Sequence, residues 1–187
     1  MDLLDLLADL HRDGPRQGPG SPAATRQALA LAHGAGLPQG PLITADLGCG
    51  TGAATMVLAT TLSGSLTALD LIPAFLDRLE AHLAKLDTQA TVTPRAGDMS
   101  NPPLQEGSLD LLWSEGAIYN LGFRKGLKTW RPFLKPRGFL AVSELTWLTA
   151  TRPAELTAHW EAAYPEVATA GAKLQVLEEE GFRPVGY

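Results

Sequence analysis

Gly48-Cys49-Gly50-Thr51-Gly52 is the stretch of this chain best suited to holding a small ligand. Three glycines in five residues let the backbone turn sharply and let a ligand reach main-chain N–H groups that side chains would block. Read as Gly48-x-Gly50-x-x-Ala53, the turn also satisfies the dinucleotide-binding fingerprint with alanine in the last place. Asp70 lies 18 residues past Gly52, where a carboxylate is placed to accept both ribose hydroxyls of a nucleotide. Asp46 stands two residues before the first glycine. A second set of groups, Glu115, Tyr119 and Glu144, could take a proton from a bound acceptor. Glu115 leads that set because it directly follows an apolar strand, at the carboxyl edge where open α/β sheets bind ligands.

These residues need elements to hold them. Short apolar runs at Leu42–Ala45, Leu66–Leu69, Thr91–Pro94, Leu109–Trp113 and Phe139–Leu145 read as strands. Helical stretches alternate with them. Ala53 to Thr61 follows the glycine turn, Pro73 opens a helix with an apolar stripe of Leu76, Leu79, Leu83 and Leu86, and Leu121 to Leu134 is interrupted at Pro132. Ala154–Tyr164 and Ala170–Glu180 are helices near the end, with Gly181 as a C-cap, and Phe182–Tyr187 begins to read as a sixth strand. Before the first strand, Leu3, Leu6, Leu7 and Leu10 mark a small amphipathic helix packed on its own domain, and Ser21-Pro22 caps a second one. Strand–helix alternation predicts a Rossmann-like, doubly wound, mostly parallel sheet with helices on both faces.

With 187 residues, 45% hydrophobic and 19% charged, the chain fits one globular domain. We divide it into an N-terminal helical cap (1–41), a ligand-binding core (42–145) and a closing segment (146–187). A net charge of −5 disfavours nucleic acid as a partner, and no apolar run is long enough to span a membrane. One cysteine, Cys49, cannot form an internal disulfide, which fits the cytoplasm. His11, His33, His82 and His159 are scattered, so no metal site is expected.

The stretch Ala45-Asp46-Leu47-Gly48-Cys49-Gly50-Thr51-Gly52 resembles the first motif of class I S-adenosylmethionine-dependent methyltransferases. Asp70, Gly97-Asp98-Met99 and Leu134-Lys-Pro-Arg-Gly138 fit later motifs of that family in order, so the resemblance covers roughly residues 42 to 145. It implies S-adenosylmethionine as cofactor, held by Asp46, Gly48, Cys49, Gly50, Asp70, Leu71, Asp98, Met99, Ser114 and Glu115, with Asp98 recognising the adenine amino group. Arg16-Gln-Gly-Pro-Gly-Ser21, Ser114-Glu-Gly-Ala-Ile-Tyr-Asn120 and Ser143-Glu-Leu-Thr-Trp147 resemble a little-characterised bacterial group acting on small molecules. In that group the N-terminal segment closes over the cofactor, which would bring Gln17 and Gly18 near its methionine end. A sulfonium is already an activated methyl donor, so alignment and water exclusion are the main demands on the protein. Glu115 then has two readings, a base or a holder of the cofactor's amino group.

Tyr119, Trp147, Trp160 and Tyr164 are candidates for the acceptor pocket, with core packing the competing reading for the last three. Asn101-Pro-Pro-Leu104 precedes the fourth strand and lacks a closing aromatic, so it reads as a loop. Arg124, Lys125, Lys128, Arg131, Lys135 and Arg137 form a basic stretch; a solvated helix face explains it, and an RNA or protein methyltransferase is the competing reading. A cofactor binder without turnover and a nicotinamide-dependent oxidoreductase are rival functions of different classes. Class I methyltransferases generally end with an antiparallel strand pair, and here the C-terminal pair is incomplete. The fifth strand should therefore present an open edge that calls for cover by a partner chain or for a local rearrangement, so the expectation is either a chain shortened at its C-terminus or a homodimer that covers the edge.

Overall fold

A computed structural model describes residues 3–11 and 13–187, except the side chains of residues 3–5 and 7. Five strands, β1 (Pro41–Leu47), β2 (Ser63–Asp70), β3 (Ala90–Ala96), β4 (Leu109–Ser114) and β5 (Leu134–Val142), form one sheet in the order β3-β2-β1-β4-β5. Every neighbouring pair is parallel. The helices are α1 (Leu3–His11), α2 (Pro22–Gly34), α3 (Ala53–Thr61), α4 (Pro73–Leu83), α5 (Phe123–Trp130), α6 (Ala154–Ala163) and α7 (Ala170–Glu179). Two short strands, β6 (Thr146–Trp147) and β7 (Ala168–Thr169), pair in parallel away from the main sheet.

Central strands of a parallel sheet are covered on both faces and read as continuous apolar runs. Here Leu42, Leu58, Leu66, Leu111 and Trp113 pack with Leu29 of α2 on one face. On the other, Ala45, Leu47, Leu69 and Leu112 pack with Phe123, Leu127 and Trp130 of α5. Leu109 joins the Leu112 side although its parity matches Leu111. The pairing of β4 with β5 shifts register between Leu109 and Leu111, and an irregularity of this kind breaks the two-residue alternation.

Four expectations need correction. β5 spans Leu134–Val142 and contains Lys135-Pro-Arg-Gly138 instead of starting after it, so Ser143 and Glu144 lie just past its end. Arg137 takes a positive φ of 68° there, and Gly138 lies tightly against the Leu109 and Lys135 carbonyls. That local distortion lets a turn-like sequence stay in the sheet. Second, Phe182–Tyr187 forms no strand. Pro184 removes a ladder donor, and the tail packs Gly186 against Leu31 of α2 instead. Third, α4 ends at Leu83, leaving Leu86 exposed. Fourth, Leu6 and Leu10 of α1 face solvent, while the side chains of Leu3 and Leu7 lie outside the described residues. Pro132 does interrupt the fifth helix, which passes into a 3-10 turn at Arg131–Phe133.

Among the described residues no strand pairs with the outer edge of β5. Phe139, Leu140, Ala141 and Val142 are only half-buried, in a groove walled by Leu31 of α2, by Leu177 of α7 and by the C-terminal tail. No helix of the described residues is long and apolar enough to cross a membrane.

Candidate active site

The carboxyl ends of β1, β2 and β4 meet around the glycine turn. Gly48, Gly50 and Gly52 all have positive φ, and a side chain on Gly48 would collide with Ala117. Glycine is therefore required by backbone conformation and by close approach together. The Gly50 N–H donates to Asp70 Oδ2 at 2.8 Å, and the Ile72 N–H donates to Asp70 Oδ1 at 3.0 Å. Burial raises the Asp70 pKa, against the pull of those two N–H groups.

Asp46 is 1% exposed at the centre of the sheet and accepts from Thr55 Oγ1 at 2.6 Å. Burial pushes its pKa up from 3.8 to about 7; the Thr55 hydroxyl opposes this, while Glu115 and Asp70 add to it. Cys49 is buried within the turn, and its thiol pKa is raised by burial, so it stays a neutral packing group.

The N-terminal segment lies on this turn. Gln17 Oε1 accepts from the Thr51 N–H at 3.1 Å, and Gln17 Nε2 donates to Thr51 Oγ1 at 2.8 Å. Gly18 beside it is exposed. Arg16 Nη1 donates to Glu115 Oε2 at 2.6 Å. Glu115 Oε1 accepts from Thr25 Oγ1 at 2.7 Å and from Trp113 Nε1 at 2.9 Å. Three donors thus hold Glu115.

Of the remaining expected cofactor residues, Ser114 is fully buried and spends its hydroxyl on the Leu47 carbonyl at 2.8 Å. Its side chain ties β4 to β1. Asp98 is held by the Ser100 N–H and hydroxyl at 2.7 and 2.6 Å, and those hydrogen bonds lower its pKa. Met99 packs in the α5-side core, with its carbonyl accepting from Trp130 Nε1 at 2.8 Å. Leu71 is exposed beside Asp70.

On the β5 side, Glu144 Oε1 accepts from Tyr164 Oη at 2.7 Å and pairs with Lys173 Nζ at 2.9 Å. Tyr119 meets Tyr164 edge-on, with ring centroids 6.1 Å apart. The structure thus joins Glu144, Tyr119 and Tyr164 in one cluster. Trp147 instead stacks under Arg152, whose guanidinium is 3.9 Å from the ring centroid, and Trp160 meets His159 edge-on.

Arg16, Thr25, Thr51, Thr55 and Lys173 escaped the sequence reading. For Lys173 a signal existed. It sits one turn before Leu177, which packs in the α5-side core, so a lysine there occupies an inward position.

Three of the six cations in the basic stretch pair with carboxylates of the chain itself. Arg124 pairs with Glu179 and Glu180, Lys128 with Glu180, and Lys135 with Asp110. Among the described residues no group of His, Cys, Asp or Glu side chains is placed to hold a metal.

Residues 45–138 match a family described as the methyltransferase domain. The chain is 32% identical over 125 residues to malonyl-(acyl-carrier protein) O-methyltransferase of Dechloromonas aromatica (strain RCB), covering 66% of this chain and 44% of that relative. It thus spans less than half the length of that protein. Phosphoethanolamine N-methyltransferase 2 of Haemonchus contortus, solved with S-adenosyl-L-methionine, superposes with a TM-score of 0.67 at 19% identity, over 86% of this chain and 37% of the other. The 4+2 cyclase SpnF superposes with a TM-score of 0.65 at 20% identity, over 89% and 60%. At these identities the likeness concerns the fold, which SpnF shares under a name that specifies no methyl transfer.

Proposed function

Because the chain belongs to the methyltransferase domain family, we propose that it binds S-adenosylmethionine at the carboxyl edge of β1, β2 and β4 and transfers the methyl group to a small-molecule acceptor. One observation carries the choice of ligand. The turn's N–H groups at Gly50 and Thr51 are already taken by Asp70 and Gln17, and Asp46, Asp70 and Glu115 crowd the same turn. A pyrophosphate would have to displace the Asp70 carboxylate from the turn, whereas a sulfonium and an ammonium complement it. This favours S-adenosylmethionine over a dinucleotide. The cofactor supplies an activated methyl group; the protein holds it in line with the acceptor and keeps water away.

In this reading Asp70 takes the ribose hydroxyls, Leu71, Asp98 and Met99 border the adenine, and Gln17 and Gly18 close over the methionine end. Calorimetric titration with S-adenosylhomocysteine tests it, with one site per chain expected. Asp70→Ala should weaken binding about hundredfold, the size expected for two lost charge-assisted hydrogen bonds. Absence of binding, or unchanged affinity in Asp70→Ala, would refute the site.

The small-molecule reading is supported over an RNA or acidic protein acceptor by the pairing of Arg124, Lys128 and Lys135 with carboxylates of the chain itself. We place the protein in the cytoplasm, where the unpaired Cys49 stays reduced. A homodimer is part of the same proposal, with β5 of one copy pairing antiparallel with β5 of the other. A half-buried apolar edge strand is a template for such pairing. Light scattering on the eluting protein should give twice the chain mass; a monodisperse monomer would contradict the dimer.

A further inference from the structure

Every backbone N–H of the glycine turn is already engaged. Gly48 and Cys49 donate to the Leu69 carbonyl at 2.8 and 3.0 Å, and Gly52 donates to the Cys49 carbonyl at 3.0 Å. The Gly50 N–H donates to Asp70 and the Thr51 N–H to Gln17. A phosphate cradle keeps such groups open for its anion; this turn offers an anion nothing from its main chain. S-adenosylmethionine nevertheless carries one. Its amino-acid end holds a carboxylate beside the ammonium, and the Asp70 and Glu115 carboxylates repel it. A side chain of opposite charge must supply its donors.

Strand order says where that carboxylate falls. The sheet runs β3-β2-β1-β4, with Asp98 just past β3, Asp70 closing β2, the glycine turn past β1 and Glu115 directly after β4. With adenine past β3 and ribose past β2, the amino-acid end runs over the turn toward Glu115. Two strand spacings, about 10 Å, cover that distance. Arg16 stands there. Gln17 grips Thr51 through both ends of its amide, which fixes the neighbouring Arg16 beside the turn, and Arg16 Nη1 donates to Glu115 Oε2 at 2.6 Å. Its charge also reaches Asp46, whose ionised form it favours. The Arg16 side chain is 15% exposed. Among the described residues only Glu115 and Thr25 accept from it, through Nη1 and Nη2, and its Nε is not sealed from solvent.

The geometry points to Arg16 as the group that receives the carboxylate of the bound cofactor, with Glu115 beside the cofactor's ammonium. A guanidinium has five N–H donors in a planar fork, so Arg16 can keep Glu115 on Nη1 and turn its Nε edge to a second carboxylate. An arginine–glutamate pair and an α-amino acid are complementary, each setting one positive charge against one negative. This assignment rests on the methyl-transfer reading above and deepens it. The N-terminal segment becomes a selector for ligands with a complete α-amino-acid end, and Arg16 is its specificity-determining residue. A decarboxylated ligand keeps the adenosine, the sulfur and the ammonium, and leaves Arg16 unmatched.

Calorimetric titration of the full chain with S-adenosylhomocysteine and with its decarboxylated analogue, S-adenosyl-thiopropylamine, tests this. Wild type should bind S-adenosylhomocysteine about thirtyfold more tightly, the size of hydrogen bonding between charged groups. Arg16→Ala should weaken S-adenosylhomocysteine by about the same factor and the decarboxylated ligand by no more than about threefold, so that the preference vanishes. A residue that merely props up the N-terminal segment would weaken both ligands alike, and an equal loss would overturn the assignment. So would unchanged S-adenosylhomocysteine affinity in Arg16→Ala, or equal affinity of the wild-type chain for the two ligands. If Arg16→Ala fails to fold by circular dichroism, Arg16→Gln, which keeps N–H donors for Glu115 and Thr25 without the charge, is read in the same way. Should neither variant fold, the preference of the wild-type chain decides. If S-adenosylhomocysteine does not bind the wild-type chain, the methyl-transfer reading falls first and takes this assignment with it; if it binds and Arg16→Ala keeps the preference, only this assignment falls.

Discussion

Replacing Glu115 by alanine is expected to destabilise the protein by about 3–5 kcal/mol, the usual cost of removing one member of a buried, hydrogen-bonded ion pair. The carboxylate is met by Arg16, Thr25 and Trp113 at 2.6, 2.7 and 2.9 Å. Arg16 and Glu115 are 15% and 13% exposed, and Thr25 is buried. Truncation would leave a guanidinium, a hydroxyl and an indole N–H without their shared acceptor. Urea unfolding of wild type and Glu115→Ala measures the loss. The same position separates the two roles the sequence left open. A general base would be missed in kcat, with stability close to wild type in the isosteric Glu115→Gln. A brace would be missed in stability and in cofactor affinity, because Arg16 fixes the segment carrying Gln17 against Thr51. With three donors already on the carboxylate, we expect the second pattern. A Glu115→Gln protein that is as stable as wild type, binds S-adenosylhomocysteine equally well and has lost its turnover would contradict it.

The parts legible from sequence were those encoded by local period and by glycine. Ala53–Thr61 follows a glycine turn and precedes an apolar run, and the structure gives that helix with the same ends. Asp70 was readable because its spacing from the turn follows from the length of one helix and one strand. Its hydrogen bond from Gly50 is what that spacing produces. Lys135-Pro-Arg-Gly138 misled because its composition is that of a turn, while tertiary pairing with β4 keeps it in the sheet through a register shift. The brace around Glu115 was hidden for a different reason. Arg16 is 99 residues away from it and Thr25 is 90, and no local pattern couples such positions. At Ser114 the hydroxyl's partner was equally hidden. The family resemblance places Ser114 among the cofactor residues, and the structure ties its hydroxyl to the Leu47 carbonyl, on a strand 67 residues earlier in the chain.

Asp46 should impose a pH dependence on stability that runs opposite to ordinary acid denaturation. Its carboxyl, buried at the centre of the sheet, has a pKa of about 7 against an ordinary value of 3.8. The unfolded chain therefore loses this proton first as pH rises, and between those values the folded state binds more protons. Stability falls with pH wherever the folded state holds the extra proton. The contribution is fully present below about pH 4 and is lost as pH rises through about 7. With 1.36 kcal/mol for each pKa unit, the swing is about 4 kcal/mol. Asp70, raised by burial, pulls the same way, whereas Asp98 and Glu179, lowered by their hydrogen bonds, pull the other way at the acid end. A difference measurement removes those contributions. Asp46→Asn keeps an acceptor for the Thr55 hydroxyl and cannot ionise. Its stability relative to wild type, from urea unfolding at matched pH, should rise by about 4 kcal/mol between pH 4 and pH 8. Any constant cost of burying the amide N–H groups cancels in that comparison. Parallel curves for the two proteins would mean that Asp46 titrates alike in the folded and the unfolded chain, and that burial does not raise its pKa. A cationic ligand at the turn should then act on the same proton. Binding S-adenosylmethionine near pH 6.5 should release protons from the wild-type chain and fewer from Asp46→Asn, read as the dependence of binding enthalpy on buffer ionisation.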